Sequence, residues 1–277
     1  MPTHRRHQKS KRTAAAVVET KGKHKAVLKR RQRMLVMAQE AGFVSIQKLA
    51  DHFGVTPQTV RRDINALSRS GQVQRFHGGA GVTTSTENVD YFNRRVLCHA
   101  EKVRIGKLVA QHIPSRASMF INIGTTTEEV AKALIHHEGL RVITNNLNVA
   151  TILSNNDNIE IFVAGGLVRH KDHGLVGEAA IDFIRQFKVD YGIIGISGID
   201  LDGTLLDFDY REVRAARAIM DNSRRVFLAT DHTKFCRSAM VRLGNVEEID
   251  AIFTDAPPRQ ELQEILERAE VEVHVAE

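Results

Sequence analysis

Thiol chemistry is almost absent from this chain, which has two cysteines, Cys98 and Cys236, in 277 residues. They lie far apart and lack metal-ligand spacing. This excludes a disulfide framework and a cysteine-based zinc site, and reads as two packing residues in a reducing compartment. No apolar run is long enough to cross a bilayer, and no stretch of signal-peptide length follows the basic start, so a cytoplasmic location without a membrane partner is expected. Neither a Walker loop nor a dinucleotide fingerprint occurs, and nucleotide binding has no support. His4, His7 and His24 are irregularly spaced without cysteine or carboxylate partners. They read as solvated side chains, and neither a metal nor a cofactor is expected.

Acidic residues are scarce at one end only. The first 33 residues carry twelve Lys and Arg against the single Glu19, a surplus of +11 within a net charge of +6, so the remainder carries −5. Such a concentration of positive charge favours phosphate neutralisation and counterion release at that end. Residues 1–25 mix basic, small and polar types; they read either as a disordered extension or as sequence preceding the true start. With 42% hydrophobic residues, the chain has enough apolar material for a sizeable core and a small second domain.

The most informative run is Val55 to Leu67. Thr56 is a helix-capping residue, and Pro57 suits the first helical position, where no backbone donor is missed. Val60, Ile64 and Leu67 recur at helical spacing toward a core, whereas Gln58, Arg61, Arg62, Asn65 and Arg69 recur on the other side. Arginine forks match the guanine edge and Asn or Gln amides the adenine edge in the major groove. Upstream, an amphipathic segment containing Val27, Met34 and Leu35 ends at Gly42. Ser45 then caps a short helix with Ile46, Leu49, Ala50 and Phe53, and Gly54 turns the chain. That is a helix-turn-helix, whose second helix enters the groove. Gly71 ends the second helix, and Val73 to Phe76 followed by His77-Gly78-Gly79 reads as a strand and glycine turn, a wing. The predicted DNA-facing residues are Ser45, Thr56, Gln58, Thr59, Arg61, Arg62, Asn65, Arg75 and His77.

Residues 81–98 read as a linker between a DNA-binding domain over 26–80 and an effector-binding and oligomerisation domain over 99–277. In the latter, short apolar runs at 119–123, 141–144, 159–164, 191–196, 226–230 and 251–254 alternate with helical segments. This predicts an α/β domain with a mostly parallel sheet, which binds ligands at the carboxyl ends of its strands. Gly124, Thr125, Thr126 and Thr127 precede Glu128-Glu129-Val130-Ala131 at a helix start, where backbone amides and hydroxyls can seat an anion. Threonines also commonly cap helices. Asn145, Asp200, Asp207, Asp209, Glu212 and Lys234 are polar residues at further strand ends. Lys234 can pair with phosphate; the carboxylates can accept from hydroxyls or instead form salt bridges with Arg211, Arg214 or Arg217.

The stretch Gly42 to Gly79, with TPQTVRRDINAL and its HGG end, resembles the DeoR-type bacterial repressors. The resemblance continues through Gly124-Thr125-Thr126, Thr144-Asn145-Asn146-Leu147-Asn148, Gly165-Gly166, Gly195 to Asp200 and Asp231-His232-Thr233-Lys234-Phe235, covering about residue 27 to the end. It implies a winged helix-turn-helix domain followed by a sugar-phosphate isomerase-like effector domain, whose Gly-Thr loop would hold phosphate. Residues 144–149, 177–179 and 195–209 look most like members governing glycerol-3-phosphate catabolism, which implies that compound as the effector and glycerol-catabolic operators as the DNA. Asn122 departs from the aspartate, and Cys236 from the glycine, found in many relatives. By resemblance the protein is a homodimeric or homotetrameric repressor released from double-stranded operator DNA by a phosphorylated polyol or sugar. Two alternatives stand beside this reading, a repressor answering another sugar phosphate and an isomerase with an accessory DNA-binding domain. The isomerase lysine and glycine-rich loop is not apparent around Leu206 to Arg211, so no enzyme activity is expected.

Overall fold

A computed structural model describes residues 26–38, 43–69, 73–76, 78–81 and 88–277. It divides into two units, Met1–Val82 and Thr83–Glu277. Residues 1–25, Gly42, Gly71 and His77, about which the sequence raised expectations, lie outside the described residues.

In the first unit a helix over 26–38 precedes the helices Ile46–Phe53 and Pro57–Arg69. The first of this pair begins where Ser45 Oγ accepts from the Lys48 amide at 3.1 Å. It ends at Gly54, whose φ of 60° is left-handed and whose amide reaches Ala50 and Asp51 carbonyls. A side chain at Gly54 would be strained there, and the tight turn depends on that freedom. Thr56 Oγ1 accepts from the Thr59 amide at 3.3 Å, capping the second helix. Val60, Ile64 and Leu67 pack with Met34, Ala38, Leu49 and Ala50. The wing is a three-stranded sheet in which Gly79–Gly81 pairs antiparallel with both Gln74–Phe76 and Phe43–Ser45. Phe43–Ser45 and Gly79–Gly81 were not expected as strands. Three-residue strands carry too little periodicity to read.

The second unit is built on seven parallel strands in the order Glu272–Val275, Ala251–Thr254, Ser223–Ala229, Val189–Ile194, Ser118–Ile121, Arg141–Thr144 and Glu160–Val163. Six correspond to the apolar runs. The seventh, Glu272–Val275, is an edge strand, and its glutamate and histidine disguised it. Successive residues of a strand face opposite sides. Accordingly Met119 and Ile121 join one apolar core with Ile105, Val130 and Leu134, while Phe120 joins the other with Ile181, Ile219 and Leu266. Helices thus cover both faces, as a parallel sheet requires.

Strand order reverses between Ser118–Ile121 and Val189–Ile194. Chain connections diverge at such a switch point and leave a crevice beyond the strand ends. Residues 88–98 belong to this unit rather than to a loose connection. Asp90 caps the helix Tyr91–Val96, and Tyr91 is buried. Partners remote in sequence hold its side chains, with Tyr91 Oη donating to Glu128 at 3.0 Å and Arg94 3.7 Å from Asp172.

Candidate functional site

On the helix after Thr56, Gln58, Arg61, Arg62 and Arg69 are exposed, while Thr59 and Asn65 are half-buried. Thr56 and Thr59 share a hydroxyl hydrogen bond of 3.0 Å at the helix start. Exposed arginines and an amide therefore project from a well-capped helix opposite its packed seam, an arrangement suited to reading base edges. Arg75 lies on the wing strand Gln74–Phe76. Ser45, expected to face DNA, has its hydroxyl in the cap described above. Asp63 was not singled out in the sequence. It is 2% exposed, and its carboxylate accepts from Arg30 Nε at 2.7 Å and Arg31 Nε at 2.8 Å. Two cations counted toward DNA thus brace this helix against the helix over 26–38.

In the second unit, the strand ends at the switch point carry a cluster of buried polar groups. Gly124, with φ of 154°, opens the helix Thr125–Leu134, and no side chain caps its first-turn amides. A Cβ at Gly124 would lie 3.2 Å from Thr127 Oγ1, so the tight approach favours glycine. Thr127 is turned inward, donating to the Asn122 and Gly124 carbonyls at 2.8 Å. The hydroxyl thus shapes the loop, and only the backbone amide of Thr127 is left to face a ligand. Thr125 and Thr126 are buried at the same helix start without that bond. The open amides of Thr125, Thr126 and Thr127 carry the partial positive charge of the helix end.

Among the described residues, Asn122 Oδ1, Asn145 Oδ1, Thr230 Oγ1, Asp231 Oδ2, Arg94 Nε and Arg237 Nε are buried without a hydrogen-bond partner. Buried polar atoms are nearly always satisfied, so these groups are candidates to meet the polar groups of water or of another molecule. Lys234 is buried; burial pushes its ammonium down to about 7, with Asp231 opposing that effect. Burial also opposes ionisation of Asp231, but the Lys234 and Lys102 charges hold its carboxyl below the usual range. Lys102 is 1% exposed and donates to the Leu97 carbonyl at 2.7 Å, with Asp231 Oδ2 at 4.0 Å.

The remaining expected ligands are arranged differently. Arg169 gathers Asp172 at 2.6 Å, Asp209 at 2.8 Å and Glu212 at 2.6 Å. Asp209 also caps the helix Tyr210–Asp221 and lies 3.6 Å from Arg211. Both Asp209 and Glu212 are therefore held in ion pairs, chiefly by an arginine the sequence did not suggest. Arg214 pairs instead with Glu178, and Arg217 with Asp221 and Glu248. Asp200 is exposed in the hairpin turn between Gly198–Ile199 and Thr204–Asp207, with its carboxylate accepting from the Leu201 amide at 2.8 Å. Asp207 accepts from Ser197 Oγ at 3.0 Å, and burial raises its pKa.

Several residues at this end escaped the sequence reading. Glu128 is buried and accepts from Tyr91 Oη and Asn148 Nδ2, each at 3.0 Å. Arg94 reaches Asp172 at 3.7 Å. Lys102 had a visible signal, since it shares the buried stripe of its helix with Ile105, Gly106 and Val109. A cation on an apolar stripe needs a reason to be there.

Comparison with known proteins accords with both halves. Residues 30–86 match the DeoR-like helix-turn-helix domain, and residues 97–256 match the DeoR C terminal sensor domain. The chain is 48% identical over 237 residues to the glycerol-3-phosphate regulon repressor of Escherichia coli strain K12, covering 86% of this chain and 94% of that protein. Identity to the Haemophilus influenzae protein of the same name is 46% over 229 residues, covering 83% and 89%. It is 40% to the E. coli HTH-type transcriptional repressor CsqR over 244 residues, covering 88% and 94%. Among solved structures, ribose 5 phosphate isomerase A from Neisseria gonorrhoeae is a remote likeness, at 10% identity and TM-score 0.36 over 48% of this chain and 52% of that one. The curated relatives are repressors, not enzymes, and no helix among the described residues is long and apolar enough to cross a membrane. The chain belongs to the DeoR family and is a DNA-binding transcriptional repressor with a helix-turn-helix unit and a sensor unit.

Proposed function

We propose that this repressor governs genes of glycerol and glycerol-3-phosphate catabolism and leaves its operator when glycerol-3-phosphate binds the sensor unit. The observation that carries this reading is the 48% identity, over most of the chain, to a glycerol-3-phosphate regulon repressor. The geometry supports it. A phosphate would take the open amides of Thr125, Thr126 and Thr127 together with Lys234, joining a helix N-terminus to a buried cation. Asn122 Oδ1, Asn145 Oδ1 and Asp231 Oδ2 are acceptors suited to the hydroxyls of a short polyol.

Gln58, Thr59, Arg61, Arg62 and Asn65 would read bases, with Arg75 on the strand Gln74–Phe76 as a further DNA contact; the expectation for His77 lies outside the described residues. Binding as a homodimer or homotetramer would present two such helices to successive half-sites. Thermal unfolding tests the ligand: a compound that binds only the folded state stabilises it by about 2.7 kcal/mol at a hundredfold excess over its Kd. Glycerol-3-phosphate should raise the midpoint and glycerol should not. Stabilisation by a different sugar phosphate alone would transfer the repressor to another effector.

A further inference from the structure

We infer that Arg237 anchors the anionic group of the effector, and that Asn88 passes occupancy of this anchor to the chain leading to the DNA-binding unit. The inference rests on the effector reading above and assigns its regulation. Arg237 is 4% exposed. It donates through Nη1 to the Ser197 carbonyl at 3.1 Å and through Nη2 to Asn88 Oδ1 at 3.0 Å, and its Nε has no partner. Among the described residues it forms no ion pair, and its guanidinium lies over the Phe208 ring, 5.0 Å from the centroid. Burial, followed by the Arg94 charge, pushes its pKa down to about 10, with the Asp207 and Asp231 carboxylates opposing that effect. A buried guanidinium remains charged and is costly without a directly paired counter-ion; Asp207 and Asp231 favour its charge only from a distance, so a phosphate monoester brought within reach of Nε supplies the direct pairing that they do not.

Asn88 makes this anchor consequential. It follows Val82, the last residue of the DNA-binding unit, by six positions. Its Oδ1 accepts from Arg237, and its Nδ2 donates to Ser197 Oγ at 3.1 Å, with Ser197 bonded onward to Asp207. The root of the linker is thus tied through one amide to two strand-end residues. A phosphate that turns the guanidinium toward itself removes the donor from Asn88 Oδ1, leaving the root held by Ser197 alone. The latched and unlatched arrangements then differ in effector affinity, as any coupling between sites requires.

The test uses full-length wild type, Arg237→Gln, Arg237→Lys and Asn88→Ala, with sn-glycerol-3-phosphate and inorganic phosphate as probes. Heat of ligand binding and anisotropy of a labelled operator duplex are followed. Arg237→Gln should bind glycerol-3-phosphate about tenfold or more weakly, and Arg237→Lys, which keeps the charge but loses the fork, should fall between it and wild type. Asn88→Ala should bind the ligand at least as tightly as wild type, yet the ratio of operator Kd with and without ligand should fall about tenfold. Wild type that binds neither probe would overturn the anchor together with the effector reading. Wild type that binds, with unchanged affinity in both Arg237 variants, would overturn the anchor alone. A wild-type operator ratio in Asn88→Ala would overturn the latch.

Discussion

Arg31 Nε donates to Asp63 Oδ1 at 2.8 Å, joining the helix over 26–38 to the buried side of the helix that carries Arg61 and Arg62. With Arg30 on the other carboxylate oxygen, Asp63 is fully engaged and only 2% exposed. Removing it leaves two partly exposed arginines that water can recover, so Asp63→Ala should cost about 2 kcal/mol rather than the larger penalty of a deeply buried ion. Chemical denaturation of the full chain, followed by a probe in the DNA-binding unit, should show the earlier transition. A midpoint equal to wild type would mean that the clamp contributes nothing.

Replacing Arg61 or Arg62 by Ala should weaken operator binding by about 1 to 3 kcal/mol where the side chain reads a base, with a smaller loss on unrelated DNA. Equal losses on every duplex would assign that arginine to phosphate. Competition titrations with operator and scrambled duplexes at one salt concentration distinguish the two.

Thr126→Asp places a negative charge at the open helix start proposed to receive phosphate. Repulsion should abolish induction and leave operator affinity intact. Normal binding of glycerol-3-phosphate by this variant, measured as heat, would remove the phosphate from the Gly124 loop.

Lys234 gives a pH test. Its folded pKa, about 7 against an ordinary 10.5, leaves it neutral above about 7 while the unfolded chain still holds the proton. Its contribution therefore makes the unliganded fold more stable as pH rises between those values. A phosphate nearby favours the ammonium, so effector binding at pH 8 should take up a proton and weaken as pH increases. The ligand's own second pKa, about 6, is too low to supply the effect. Binding heats in buffers of different ionisation enthalpy report the uptake in wild type, and Lys234→Met should abolish it. Proton release by wild type would contradict this placement of Lys234.

The helix Pro57–Arg69 was legible because its signals are local: a Thr-Pro start, an apolar seam at helical spacing and polar residues opposite. The sheet was legible for the same reason, through short apolar runs separated by helices. Ion pairing was not. Arg169 gathers Asp209 and Glu212 from about forty residues away, and nothing local distinguishes it from Arg211, Arg214 or Arg217. Asn88 and Arg237 meet across 149 positions. Thr127 showed the reverse difficulty: residue type and position suggested a ligand contact, whereas its rotamer turns the hydroxyl back onto the loop.

The most direct measurement is release of a labelled glycerol-catabolic operator from the full-length repressor, titrated in parallel with glycerol-3-phosphate and glycerol at fixed salt. Glycerol-3-phosphate should release the duplex in a saturable manner, with glycerol nearly inert over the same range. Release by glycerol at equal concentration, or retention of the duplex at saturating glycerol-3-phosphate, would contradict a repressor that senses phosphate at the strand ends.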